Sequence, residues 1–169
     1  MVKEFEDETF PRYALVLDTM LGRRNSHCFE EAVSVAASFA TTLDTKESFL
    51  DLLFVGPKAI TVSAGGHGSA REVEKMLEIL ARVEPAYDES GLGLLRKELG
   101  LRCAELSACI LVLLDWDAPR RDLADELRRR GVETLALVVV EGEQTPEPGV
   151  CFLKAGKVQE RLWNLRFRA

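Results

Sequence analysis

Three runs in this chain, residues 13–17, 108–114 and 134–140, are apolar almost throughout. A strand with one wet face alternates apolar and polar residues, so runs of this kind read as strands buried on both faces. Such a sheet needs a layer on either side, and the intervening chain supplies it. Residues 26–43 set Phe29, Ala32, Val33, Ala36, Ala37, Phe39, Ala40 and Leu43 at helical spacing, with small alanines that let the helix lie close to a sheet. Val73, Met76, Leu77, Leu80 and Val83 form a second stripe, opened by Ser69 and Glu72 at capping-box spacing and ended by Pro85. A third helix is expected over 90–104, where Gly91, Gly93 and Gly100 each weaken it by about 1 kcal/mol. A fourth, over 119–130, stops at Gly131. Phe49–Val55 and 59–62 read as a hairpin turned at Gly56-Pro57-Lys58, and Val150–Lys154 as an added edge strand.

The order is strand, helix, antiparallel hairpin, two helices, strand, helix, strand. Right-handed crossovers then give a doubly wound α/β fold: a mostly parallel sheet, one antiparallel edge strand, and helices on both faces. The strands at 13–17 and 108–114 are expected to be neighbours where the winding reverses. Each is followed by an aspartate, Asp18 and Asp115, and ligands gather at the carboxyl ends of strands at such a point. The two carboxylates are therefore expected on one rim. At about 5 Å and an effective dielectric near 20 they repel by roughly 3 kcal/mol. Arg23 or Arg24, in the loop after Asp18, is the expected counter-charge.

With 169 residues, 47% hydrophobic and 30% charged, the chain reads as a single soluble domain over 1–169. A net charge of -6 offers no electrostatic footing for nucleic acid as a partner. Cys28, Cys103, Cys109 and Cys151 form no Cys-x-x-Cys pair and read as reduced thiols, which points to the cytoplasm. No apolar run approaches the roughly 18 residues of a membrane span. The opening Val2–Glu8 reads as a lead-in strand or linker, as if the domain were cut from a longer protein.

Other polar features have plain readings. Gly65-Gly66-His67-Gly68 lacks the lysine of a phosphate-binding loop and reads as a connector. His27 and Cys28 are adjacent, so on a helix they point in different directions and make a poor nucleophile–base pair. Arg120, Arg121, Arg128, Arg129 and Arg130, interspersed with Asp122, Asp125 and Glu126, read as solvated i,i+4 pairing. Trp163 and Phe167 in the tail read as packing residues or partner anchors.

Several segments carry a resemblance in the order they occur. They are Val2-Lys3-Glu4-Phe5-Glu6, Leu15-Val16-Leu17-Asp18-Thr19, residues 29–38 on the first helix, and Leu77-Glu78-Ile79-Leu80-Ala81-Arg82-Val83. Together, over roughly residues 2–140, they resemble the von Willebrand factor A-like domain, and more narrowly that of the prokaryotic domain-of-unknown-function 58 family. The resemblance implies a protein-interaction module working beside a MoxR-type AAA+ ATPase in assembly or chaperoning. It also implies a metal-ion-dependent adhesion site, Asp-x-Ser-x-Ser after the first strand with a Thr and an Asp from other loops. Asp18 matches the first Asp, and Asp115, with Asp117 second, matches the later one. Met20 and Gly22 replace both serines, and Ser63 or Ser69 stands in for the threonine only loosely.

A Mg²⁺ octahedron needs those oxygens. The site is therefore expected to be degenerate and the chain to work without a cofactor, with Asp18, Thr19, Arg23, Arg24, Asp115 and Asp117 contacting the partner. The competing reading is a phosphate- or nucleotide-handling hydrolase on the same sheet. It lacks both Gly-x-Gly-x-x-Gly and Gly-x-x-x-x-Gly-Lys-Ser/Thr. A third is a structural domain that orders a larger protein.

Overall fold

The computed structural model describes residues 10–22, 26–43, 48–56, 59–64, 70–88 and 90–162. The lead-in, Arg23 and Arg24, the Gly65–Gly68 connector with Ser69, and the tail with Trp163 and Phe167 lie outside the described residues.

In chain order the elements are β1 (Arg12–Leu17), α1 (Ser26–Thr42), β2 (Phe49–Val55), β3 (Ala59–Ala64), α2 (Ala70–Leu80) and α3 (Gly91–Arg102). After a 3₁₀ turn at Cys103–Glu105 come β4 (Ala108–Leu113), α4 (Ala118–Arg129), β5 (Glu133–Val140), β6 (Val150–Lys154) and α5 (Val158–Leu162). The strands form one sheet of order β3-β2-β1-β4-β5-β6. Five of them, β2, β1, β4, β5 and β6, run parallel, while β3 pairs with β2 antiparallel. β1 and β4 are central neighbours in the register Leu17↔Val112. The winding reverses between them, so the loops that follow both strands open on the same rim.

Side chains alternate along β1 into two apolar layers. Leu15 and Leu17 join Ile110 and Val112 against α1, whose buried Phe29, Ala32, Ala36 and Phe39 follow helical spacing. Ala14 and Val16 join Leu111 and Leu113 against α3 and α4. Burial on both faces is why these strands read as unbroken apolar runs. β2 departs from the rule, because Asp51 is fully buried within it. Arg12 Nε lies 2.8 Å from Asp51 Oδ2 and Arg102 Nη1 lies 3.6 Å away, so the carboxylate is neutralised near the amino end of the strands. The hydrogen bond to Asp51 raises the Arg12 pKa above its usual value.

Helix α3 starts where Gly91 meets β2. A β-carbon there would stand 2.5 Å from Val55 Cγ1, so close packing is the reason for this glycine. Cys28, Cys103 and Cys109 are buried thiols, and burial, with Cys103 adding to it, pushes the Cys109 thiol far above its ordinary range. Such a thiol stays protonated and inert.

Glu126 on α4 joins two helices. Arg96 Nε of α3 and Arg130 Nη2 each lie 2.6 Å from one of its oxygens. The hydrogen bond from Arg96 holds Glu126 below the usual carboxylate range. A carboxyl with a depressed folded pKa binds fewer protons when folded. Its contribution is therefore whole above the unfolded value near ~4.3 and is lost as pH falls through the folded one. Glu126→Gln is expected to lower the urea midpoint at pH 7, and the gap to wild type to close on acidification below about pH 4. A gap that does not narrow at all as the solution is acidified from the unfolded value downwards would contradict the assignment.

Candidate functional site: the carboxyl rim

Asp18 is the residue that follows β1, and its environment is unusual. Its own N–H donates to Val112 O at 2.8 Å, which seats the corner on β4. Its Oδ1 accepts the Met20 N–H at 2.9 Å, and its Oδ2 accepts the Leu114 N–H at 3.1 Å. Oδ2 also accepts Arg120 Nε at 2.7 Å, from 102 residues further along the chain. Asp18 is fully buried and the Arg120 side chain is 1% exposed. Both carboxylate oxygens are therefore engaged, one of them twice.

Helix α4 delivers the guanidinium. Asp117 is its N-cap, accepting the Arg120 N–H at 3.2 Å, and Pro119 sits in its first turn. Arg120 then turns inward. Besides Asp18, its Nη1 reaches Asp117 Oδ2 at 2.7 Å and its Nη2 reaches the Met20 carbonyl at 3.4 Å. Unit charges about 4 Å apart attract by roughly 4 kcal/mol at an effective dielectric of 20. The expected counter-charge was Arg23 or Arg24, which lie outside the described residues. The guanidinium on Asp18 belongs to Arg120 instead. The solvated reading of the arginine cluster fails for this member and suits exposed Arg121 and Arg129.

The loop after β1 is stitched to its surroundings. The Thr19 hydroxyl donates to the Val55 carbonyl, the Ala86 N–H donates to Thr19 O at 2.7 Å, and the Leu21 N–H donates to Ala86 O at 2.8 Å. Asp18, Thr19 and Met20 are all fully buried. Asp18 and Thr19, expected at the partner contact, therefore shape the rim from beneath and present no surface to a partner. Asp115 is half-buried and its Oδ1 accepts the Trp116 N–H at 2.7 Å. The carboxylate that shares Arg120 with Asp18 is Asp117 rather than Asp115.

Around this buried pair the rim is partly aromatic. Tyr87, between α2 and α3, is 72% exposed. The Trp116 Nε1–H donates to Glu147 Oε2 at 3.0 Å, and Arg121 lies 6.0 Å from the centre of the Trp116 ring. Asp88 beside Tyr87 accepts from the Ser90 hydroxyl and N–H, which hold its carboxyl below the usual range. His27 and Cys28 do point apart: the imidazole is exposed, 3.8 Å from Glu31, and the thiol is buried.

A divalent ion at Asp18 would need free oxygens. The described residues do not fit one. Both Asp18 oxygens are committed, a guanidinium already faces them and the Met20 carbonyl, the Met20 side chain is a buried thioether, and Gly22 contributes only a left-handed turn with φ 59°. Among the described residues, no group of three or more His, Cys, Asp or Glu could hold a metal.

No protein-family model and no curated protein sequence matches the chain. Solved structures do match. Manganese-loaded TRAP protein of Plasmodium vivax aligns with a TM-score of 0.68 at 11% identity, over 94% of this chain and 73% of that one. A von Willebrand factor type A structure from Catenulispora acidiphila aligns at 0.61 and 13% identity, over 89% of this chain and 41% of that one. Proximal thread matrix protein 1 from the mussel byssus, with a zinc-occupied MIDAS motif, aligns at 0.60 and 13% identity, over 92% and 46%. The fold is thus that of a von Willebrand factor A-like domain. The chain spans less than half the length of the last two structures, and identities this low speak to fold alone. Among the described residues, no helix is long and apolar enough to cross a membrane.

Proposed function

We propose that the chain is a non-catalytic protein-interaction module that binds through the exposed part of the carboxyl rim. Tyr87 and Trp116 are the anchors, and Asp115, Asp117 and Arg121 the polar surround. The observation that carries this is the state of Asp18: the carboxylate a metal site would use is buried and saturated, while Tyr87, next to the Ala86 that hydrogen-bonds Thr19 and Leu21, is exposed. Aromatic residues beside arginine are the commonest source of binding energy at interfaces. The likeness to von Willebrand factor A-like structures supports an interaction or adhesion role. On the sequence resemblance, the narrower family is the domain-of-unknown-function 58 group and the partner a MoxR-type AAA+ ATPase, with this domain the soluble part of an anchored protein.

The test is co-purification with the MoxR-type ATPase encoded in the same genome. Tyr87→Ala and Trp116→Ala are each expected to weaken binding at least about tenfold, and Tyr87→Ala, at an exposed site, to leave the thermal midpoint close to wild type. Rim variants that bind as tightly as wild type would remove the rim from the interface.

A further inference from the structure

We propose that the Arg120 guanidinium is the rim's internal cation: it takes the place of a divalent ion, and it makes whatever the rim binds independent of metal. Three oxygens converge on it, from Asp18 after β1, from Asp117 after β4, and from the Met20 carbonyl in the β1–α1 loop. Oxygens brought together from separate loops are what a hard cation recruits. Here an arginine occupies their midst and is 1% exposed, so water does not screen it from Asp18. The residues two and four places after Asp18 offer no hydroxyl, because Met20 ends in a thioether and Gly22 bears no side chain. A fork of fixed N–H groups satisfies carboxylates in the plane of the guanidinium, whereas an ion would demand six ligands around it. The same arrangement contains a latent site: with the guanidinium gone, Asp18 and Asp117 face a space that no longer holds a positive charge. The consequence for binding rests on the interaction reading above; the consequence for metal does not.

Titration of Mn²⁺ into the isolated chain, followed by electron paramagnetic resonance of the free ion, tests the metal arm without any partner. Wild type is expected to take up no stoichiometric Mn²⁺, and its thermal midpoint to be the same in Mn²⁺ and in EDTA. Arg120→Ser is expected to bind Mn²⁺ at least roughly 100-fold more tightly than wild type, a lower bound on the effect of deleting a unit positive charge about 5 Å from a doubly charged ion. Mn²⁺ is also expected to raise the midpoint of that variant, or to restore its folding if it does not fold alone. Arg120→Lys keeps a cation and is expected to stay indifferent to Mn²⁺. Stoichiometric Mn²⁺ binding by wild type that Asp18→Asn abolishes would overturn the proposal. So would an Arg120→Ser protein that stays unresponsive in saturating Mn²⁺, or a lysine variant that binds the ion as the serine one does. Co-purification with the ATPase in EDTA and in Mn²⁺ is the separate binding arm, expected to be equal. A failure of the metal arm leaves the aromatic rim variants to judge the interaction reading by themselves.

Discussion

Arg120→Met is expected to cost about 3–5 kcal/mol of unfolding free energy, the penalty for removing one partner of a buried ion pair. The charge left behind is that of Asp18, which is fully buried and keeps only the Met20 and Leu114 N–H groups as donors. Asp18→Asn strands the guanidinium with Asp117, which is 29% exposed and partly screened. The two changes remove the same interaction, so the double variant is expected to cost less than their sum by about 1–3 kcal/mol. Urea titration of the four proteins gives the cycle. Additivity within about 0.5 kcal/mol would mean the pair is not coupled and Asp18 is held by its backbone donors alone.

Gly91→Ala is the second large effect, and its sign runs against helix propensity. Alanine is the better helix former by up to about 1 kcal/mol. The added carbon, however, meets Val55 Cγ1 at 2.5 Å and Val55 Cβ at 3.3 Å, and Val55 is a short buried side chain with nowhere to swing. Overpacking of this kind costs about 1–3 kcal/mol. In a Val55→Ala background the space opens, and Gly91→Ala is expected to become neutral or stabilising. Thermal or urea midpoints of the two pairs decide it. A destabilisation that is unchanged by Val55→Ala would place the strain elsewhere.

Much of the architecture could be read from the residues because a parallel sheet covered on both faces leaves a simple mark. The runs at 108–114 and 134–140 have no polar alternation; β4 is buried from Cys109 onward and β5 from Ala136 to Val139. Asp51 left no such mark. A carboxylate inside a strand argues against burial, and Arg12 and Arg102, from two other elements, help to make it tolerable. Arg120 was hidden among five arginines on one charged helix. Two signals pointed to it. It occupies the first place of the inward stripe that continues through Leu123, Ala124 and Leu127, so its phase is that of the core. It also sits in the first turn, where the helix dipole disfavours a cation, which calls for a local carboxylate as compensation. Gly91 read as a weak point in a helix; its reason lies on β2, which no periodicity within α3 reveals.

The bonds that complete Asp18 come late. Its Leu114 donor lies 96 residues downstream and its Arg120 donor 102. A chain emerging from the ribosome thus makes the β1 corner early and holds a bare carboxylate there until the second half has been synthesised. Closing so long a loop is slow and entropically costly. Native order at that corner is therefore among the last things the nascent chain acquires, and α4 is the element whose arrival finishes it.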